Sequence, residues 1–248
     1  MNLQQLLDYV NFLGSKDESG NVYPPERFNL NLPIAIREVY DAFIPFYEKD
    51  QKITEIMSTY KVVLGDDLTP HLPVSTRGKA VIPSDFDHHS SLSYPYIASY
   101  DSDSNPIIEY RDVDIVTEAQ YQARVGSTLL EPTKYDPVAT YYNGYIQFSP
   151  YNLISVRMVY LKKPEIPYYD YYIDTNLDHV YLAPGATHTL ATGEEGSQGQ
   201  TTGTVTSATV ELSIHESTHP LIAYILLAKL GINIKDLPLV QYAEMLKR

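Results

Sequence analysis

The sequence predicts a mixed α+β protein: a helical bundle made from the two ends of the chain, packed with an antiparallel β-rich domain between them. Three observations carry this expectation. Apolar residues recur at helical spacing near both ends, and short β-prone runs divided by turn residues fill the middle. Residues 132–172 hold ten of the 23 tyrosines and are cut up by prolines. At 248 residues the chain can bury a substantial core, between one large and two small domains. The expected division is a helical region over 1–65, a β-rich domain over 66–184, a Gly/Thr/Ser-rich loop or extended hairpin over 185–212, and C-terminal helices over 213–248.

Leu3, Leu6, Leu7, Val10 and Leu13 make an amphipathic first helix, and the absence of a basic leader argues against a signal peptide. Residues 14–32 read as a loop rich in Gly, Asn, Asp and Pro. Pro33 then suits the first turn of a second helix, whose buried face is Ile36, Val39, Tyr40 and Phe43. Pro45 should kink or restart it, with helix continuing towards Tyr60 and the last residues possibly turning to strand, up to Gly65. Strands are expected at 79–82, 91–99 and 106–110, and a short helix at 114–124. Asn143-Gly144 between two β-prone runs predicts a hairpin with a type I′ turn. Ile154, Val156, Met158 and Tyr160 alternate with more polar neighbours, so another strand with one buried face follows. Residues 168–182 have room for one or two more strands. Residues 185–207 lack large apolar side chains and should form a mobile loop or a long exposed hairpin. Leu221 to Leu230 is apolar nearly all round and should be a buried helix stopped by Gly231; Leu237, Val240, Tyr242, Ala243 and Leu246 outline a last one.

Composition narrows the function. Without cysteine there is no disulfide framework, thiolate zinc site or cysteine nucleophile. No apolar run approaches a membrane span, so no membrane partner is expected. The net charge is −13, and from Ser84 to Asp114 seven acids meet only Arg111. Such a balance does not grip phosphates, since nucleic-acid affinity rests on neutralising them. It suits either ordinary solubility or a wall that nucleic acid slides past.

Three motifs invite a chemical reading. His215-Glu216-Ser-Thr-His219 has the zinc-protease pattern, but Pro220 disfavours α geometry at His219, and a helix cap at Ser217 or Thr218 fits better. Asp101, Asp103, Asn105 and Asp112 resemble a calcium loop in which Pro106 stands where glycine is needed, which favours an Asx-rich turn. His88-His89 reads as a solvated loop, and on a strand the two would point to opposite faces. No catalytic, cofactor-binding or metal-ligating residue is therefore assigned. The chemistry expected is that of packing, because tyrosine joins a rigid apolar ring to a polar tip. Tyr141, Tyr142, Tyr145 and Phe148 are the candidate inter-subunit surface; alternatively they fill the chain's own sheet core.

Several segments together carry a resemblance: Gly78-Lys-Ala-Val-Ile-Pro83-Ser-Asp-Phe-Asp-His88, Val116 to Arg124 leading into Glu131 to Phe148, and Glu216 to Gly231 with Leu239-Val-Gln-Tyr-Ala-Glu-Met-Leu-Lys. They resemble ring and head–tail adaptor proteins of short-tailed bacteriophages, particularly the crAss-like phages of gut Bacteroides. The resemblance covers most of the chain, and residues 185–207 lie outside it. It implies a non-enzymatic virion structural protein at the head–tail junction or upper tail, assembled in the host cytoplasm. Copies would form a homo-oligomeric, dodecameric ring beside the portal and other neck proteins, with DNA passing through the lumen. A receptor- or glycan-binding tail module is the alternative, since tyrosine-rich strands and a Thr/Gly loop suit sugar stacking.

Overall fold

The structure, a computed structural model, describes residues 1–15, 23–66, 69–103 and 106–229. Helix α1 (Leu3–Ser15) is followed by α2 (Pro25–Phe43), a 3-10 turn at Ile44–Phe46, α3 (Gln51–Met57) and a 3-10 turn at Ser58–Tyr60. Strands β1 (Lys61–Leu64), β2 (Leu72–Pro73), β3 (Lys79–Val81), β4 (Phe86–Tyr100), β5 (Pro106–Asp112) and β6 (Asp114–Ile115) come next. Helix α4 (Glu118–Val125) leads to β7 (Val138–Tyr142), β8 (Tyr145–Ser149) and β9 (Ser155–Lys162). The chain closes with β10 (Tyr171–Ile173), β11 (His179–Tyr181), β12 (Thr187–Thr189), β13 (Glu195–Gly196), β14 (Thr204–Thr206) and α5 (His219–Lys229). The fold class is α+β, as expected. The expected helix around Leu237 lies outside the described residues.

The chain divides into two compact units, one of residues 1–59 with 164–248 and one of residues 60–163. This differs from the expected division at 184: residues 164–212 belong with the helices. Side-chain hydrogen bonds explain why. Asn29 donates to the Tyr169 carbonyl and accepts its N–H, both at 2.8 Å, while Tyr169 donates to Gln4 and Tyr171 to Glu26, both at 2.6 Å. Each partner, Asn29, Gln4 and Glu26, sits in α1 or α2, so the tyrosines of this stretch serve the helical unit.

In that unit Leu3, Leu6, Leu7 and Val10 of α1, Phe28, Leu32, Ile36 and Val39 of α2, and Ile222, Ala223, Leu226 and Leu227 of α5 are buried. Helix α2 begins at Pro25, not at Pro33. Pro24 is extended and Pro25 occupies the first turn, where a missing N–H is harmless, so Pro33 lies inside the helix. Burial of Phe28 and Leu32 and the partners of Glu26, Asn29 and Asn31 outweigh the one backbone bond lost. Pro45 does restart the helix, and Asp50 caps α3 by accepting from the N–H groups of Lys52 and Ile53. Residues 185–207 form an extended hairpin: β12 pairs with β14, and β13 between them joins β10.

The second unit holds two sheets. One runs β1-β9-β4-β5, with β2 also on β9, and the other runs β3-β8-β7-β6. Leu72, Ala80, Leu92, Ala139, Ile146, Phe148, Val156, Met158 and Tyr160 build one core from both. Three expectations change here. The β6-α4-β7 crossover makes one parallel pair, and helix starts only at Glu118, where Thr117 and Gln120 form a capping box. Of the hairpin turn residues only Gly144 has a positive φ, +83°, so the turn is not type I′. Ile154 precedes the strand and is 80% exposed, whereas Val156, Met158 and Tyr160 are buried as predicted.

Candidate functional site

The four residues expected at an inter-subunit surface are separated by the pleat of their own hairpin. Cross-strand partners share a face, and successive residues alternate. Ala139 pairs with Phe148 and Tyr141 with Ile146 on the core face, whereas Thr140 pairs with Gln147 and Tyr142 with Tyr145 on the other. Phe148 is fully buried, which corrects its assignment to a surface. Tyr141 also faces inward, its ring stacked on Phe86 at 5.8 Å and on His89 at 5.4 Å between centroids. Burial holds its hydroxyl far above the usual phenol range, and among the described residues that hydroxyl has no hydrogen-bond partner. A buried, unpaired hydroxyl costs about 1–3 kcal/mol. Tyr141→Phe should accordingly stabilise the second unit by about 1 kcal/mol, read as a higher urea midpoint at unchanged slope.

Tyr142 and Tyr145 stack on each other at 5.2 Å and 21° on the opposite face. They belong to a cleft of about 530 Å³ that Tyr121, Gln122, Gln147, Tyr151 and Arg77 also line. Each wall has an identifiable support. The Tyr121 hydroxyl donates to the Phe148 carbonyl at 3.2 Å, and burial, with Tyr151 nearby, pushes its pKa up to about 12. Gln147 Nε2 donates to the Arg77 carbonyl at 3.0 Å. Glu118 lies below the usual carboxylate range because the Tyr142 hydroxyl and then Gln122 donate to it. Lys79 Nζ sits 4.1 Å over the Tyr145 ring, a cation–π contact. Gly78 has φ +70°, and a Cβ there would come within 2.7 Å of both the Phe148 carbonyl oxygen and the Tyr151 ring. Only glycine lets that ring lie against the backbone.

A second feature escaped the sequence reading. Strands β4 and β5 form a long antiparallel ribbon with β5 at the sheet edge. Along it Ile97 and Ile108 face each other, each 54% exposed, and Tyr100, Ile107 and Tyr110 are exposed beside them. Arg111 lies 4.7 Å from the Tyr96 ring and 5.0 Å from that of Tyr135, while the Tyr96 hydroxyl donates to Glu109. The apolar signal in Pro106-Ile-Ile-Glu-Tyr stands among the charged residues Glu109, Arg111 and Asp112, which mask it in the sequence.

The histidines resolve differently from their motifs. His219 adopts α geometry despite Pro220, and the cap is His215, whose side chain accepts from the Ser217 N–H. The two imidazoles have separate partners: His215 Nδ1 lies 2.9 Å from the Ser217 hydroxyl, and His219 Nε2 lies 3.3 Å from the Ile214 carbonyl. His88 and His89 lie on β4 rather than in a loop. Bulges flank the pair, and the two rings stack at 5.3 Å. The Asp101 turn is an Asx turn, with its carboxylate accepting the Asp103 N–H at 2.9 Å. Among the described residues no three His, Asp or Glu side chains converge as a metal set would.

Burial lowers the pKa of His219 and leaves its Nδ1 unpartnered. A histidine with a depressed folded pKa binds fewer protons folded than unfolded, so its contribution is present above the unfolded value of about 6.5 and lost as pH falls through the folded value. The melting temperature of the helical unit should therefore drop below about pH 6.5. His219→Asn should flatten that slope.

No protein-family model and no curated protein matches this chain.

Proposed function

We propose that this protein is a structural subunit whose copies close into a ring within the head–tail connector of a tailed bacteriophage, lining the channel through which the genome is packaged, retained and ejected. The observation that carries the reading is the β4–β5 ribbon. An edge strand presents unpaired N–H and C=O groups, and folds ordinarily blunt such an edge with charge, proline or brevity. Here Pro106, Glu109, Arg111 and Asp112 blunt the edge strand in part, yet Ile107, Ile108 and Tyr110 stand exposed among them, beside Ile97 and Tyr100. An exposed apolar patch on a sheet edge is suited to burial by an identical neighbour in a head-to-tail contact whose rotation closes. The acidic balance of the chain supports a lumen whose wall does not bind DNA. The ribbon, rather than Tyr142 and Tyr145, is the surface assigned to subunit contact.

Negative-stain imaging and light scattering of the full-length protein, alone and mixed with a portal protein, test this. Closed rings are the expected result. A monomer at every concentration, with no ring in either preparation, would sink it.

A further inference from the structure

We propose that the tyrosine-lined cleft on the outer face of the β7–β8 hairpin is a binding site for a short saccharide. Its volume of about 530 Å³ lies within the roughly 300–1,000 Å³ typical of small-molecule clefts. Tyr121, Tyr142, Tyr145 and Tyr151 supply aromatic surface, and Thr76, Arg77, Gln122 and Gln147 supply hydroxyl, guanidinium and amide groups. A sugar ring has the matching duality: an apolar C–H face for an aromatic ring and a periphery of hydroxyls that both donate and accept. An extended proline-rich peptide also stacks on tyrosine, but it offers few hydrogen-bonding groups to a rim of amides and hydroxyls.

The site is organised in advance. Gly78 admits the Tyr151 ring where any side chain would collide, and the Tyr121 hydroxyl is tied to the Phe148 carbonyl. Aromatic walls already fixed lose little freedom when a ligand arrives, which is the condition under which a small, polar molecule binds measurably. The core face of the same hairpin accounts for Tyr141, Ile146 and Phe148. The inference is independent of ring formation, because none of these side chains belongs to the β4–β5 ribbon.

The test uses the full-length protein on an array of neutral and acidic mono- to tetrasaccharides, with a set of proline-rich peptides printed alongside. Saturation-transfer NMR and calorimetry then follow any saccharide that binds. Binding competed by the free sugar is expected, weakened at least tenfold in Tyr142→Ala and in Tyr151→Ala and unchanged in Ile166→Ser, an exposed position elsewhere in the chain. Melting curves and ring formation of each variant, measured on the same samples, separate loss of the cleft from loss of fold or assembly. Three results would overturn the proposal: no saccharide bound competably, binding indifferent to both tyrosine substitutions in folded protein, or binding confined to the peptides.

Discussion

Ile97→Lys combined with Ile108→Glu should leave the subunit folded and abolish the proposed assembly into rings. The two residues are cross-strand partners and both are exposed, so the swap creates an opposite-charge pair that keeps the ribbon paired. What changes is the surface offered to a neighbour. Burying a fully exposed isoleucine contributes about 1.5–3 kcal/mol, and each of these is 54% exposed, so losing two at each contact removes roughly 1.5–3 kcal/mol. At about 1.4 kcal/mol per tenfold, association weakens by roughly one to two orders of magnitude before the larger cost of burying new charges is counted. Sedimentation velocity should show the ring replaced by monomer, with the circular-dichroism melt unchanged. Rings persisting at wild-type concentrations would move the subunit contact off the β4–β5 ribbon.

Phe148→Ala should cost about 3–5 kcal/mol of folding stability, the range for deleting a buried aromatic side chain. Phe148 is fully buried in the core that also holds Ala139, Ile146, Val156 and Met158, and little around it can collapse into the space. Domains are typically stable by only about 5–15 kcal/mol, so the variant loses a large share of the total. Urea unfolding of dilute protein, where no ring forms, is the decisive measurement. An inter-subunit Phe148 would leave that curve unmoved and weaken assembly alone; a core Phe148 shifts the midpoint strongly at any concentration.

The readable parts of this chain were those in which local pattern and tertiary environment agree. Helix α1, the restart at Pro45, the hairpin around Gly144 and the apolar helix α5 all follow from periodicity and turn chemistry. Pro33 shows the limit. As a local signal it marks a helix start, yet Asn29, Asn31 and Glu26 find partners that extend the helix back to Pro25. His88 and His89 show another, because their rings stack at 5.3 Å although they are adjacent in one strand. Among the site residues, period-two alternation was enough to separate Tyr142 and Tyr145 from Tyr141 and Phe148. Counting tyrosines treated the four as one patch and hid that division.

By itself the sequence determined the α+β class, the order of most elements and a surface chemistry of tyrosine and acid rather than thiol or phosphate-gripping base, since these depend on composition and on contacts only a few residues apart. The tertiary structure alone decided that Arg77, Tyr121 and Tyr151 meet Tyr142 and Tyr145 around one cleft, and that Ile97 lies opposite Ile108 on an open edge. The cleft joins segments far apart along the chain, and the isoleucine pair depends on the register of one ribbon. Their geometry is fixed by strand register and by a glycine that lets a ring approach the backbone, neither of which leaves a local trace.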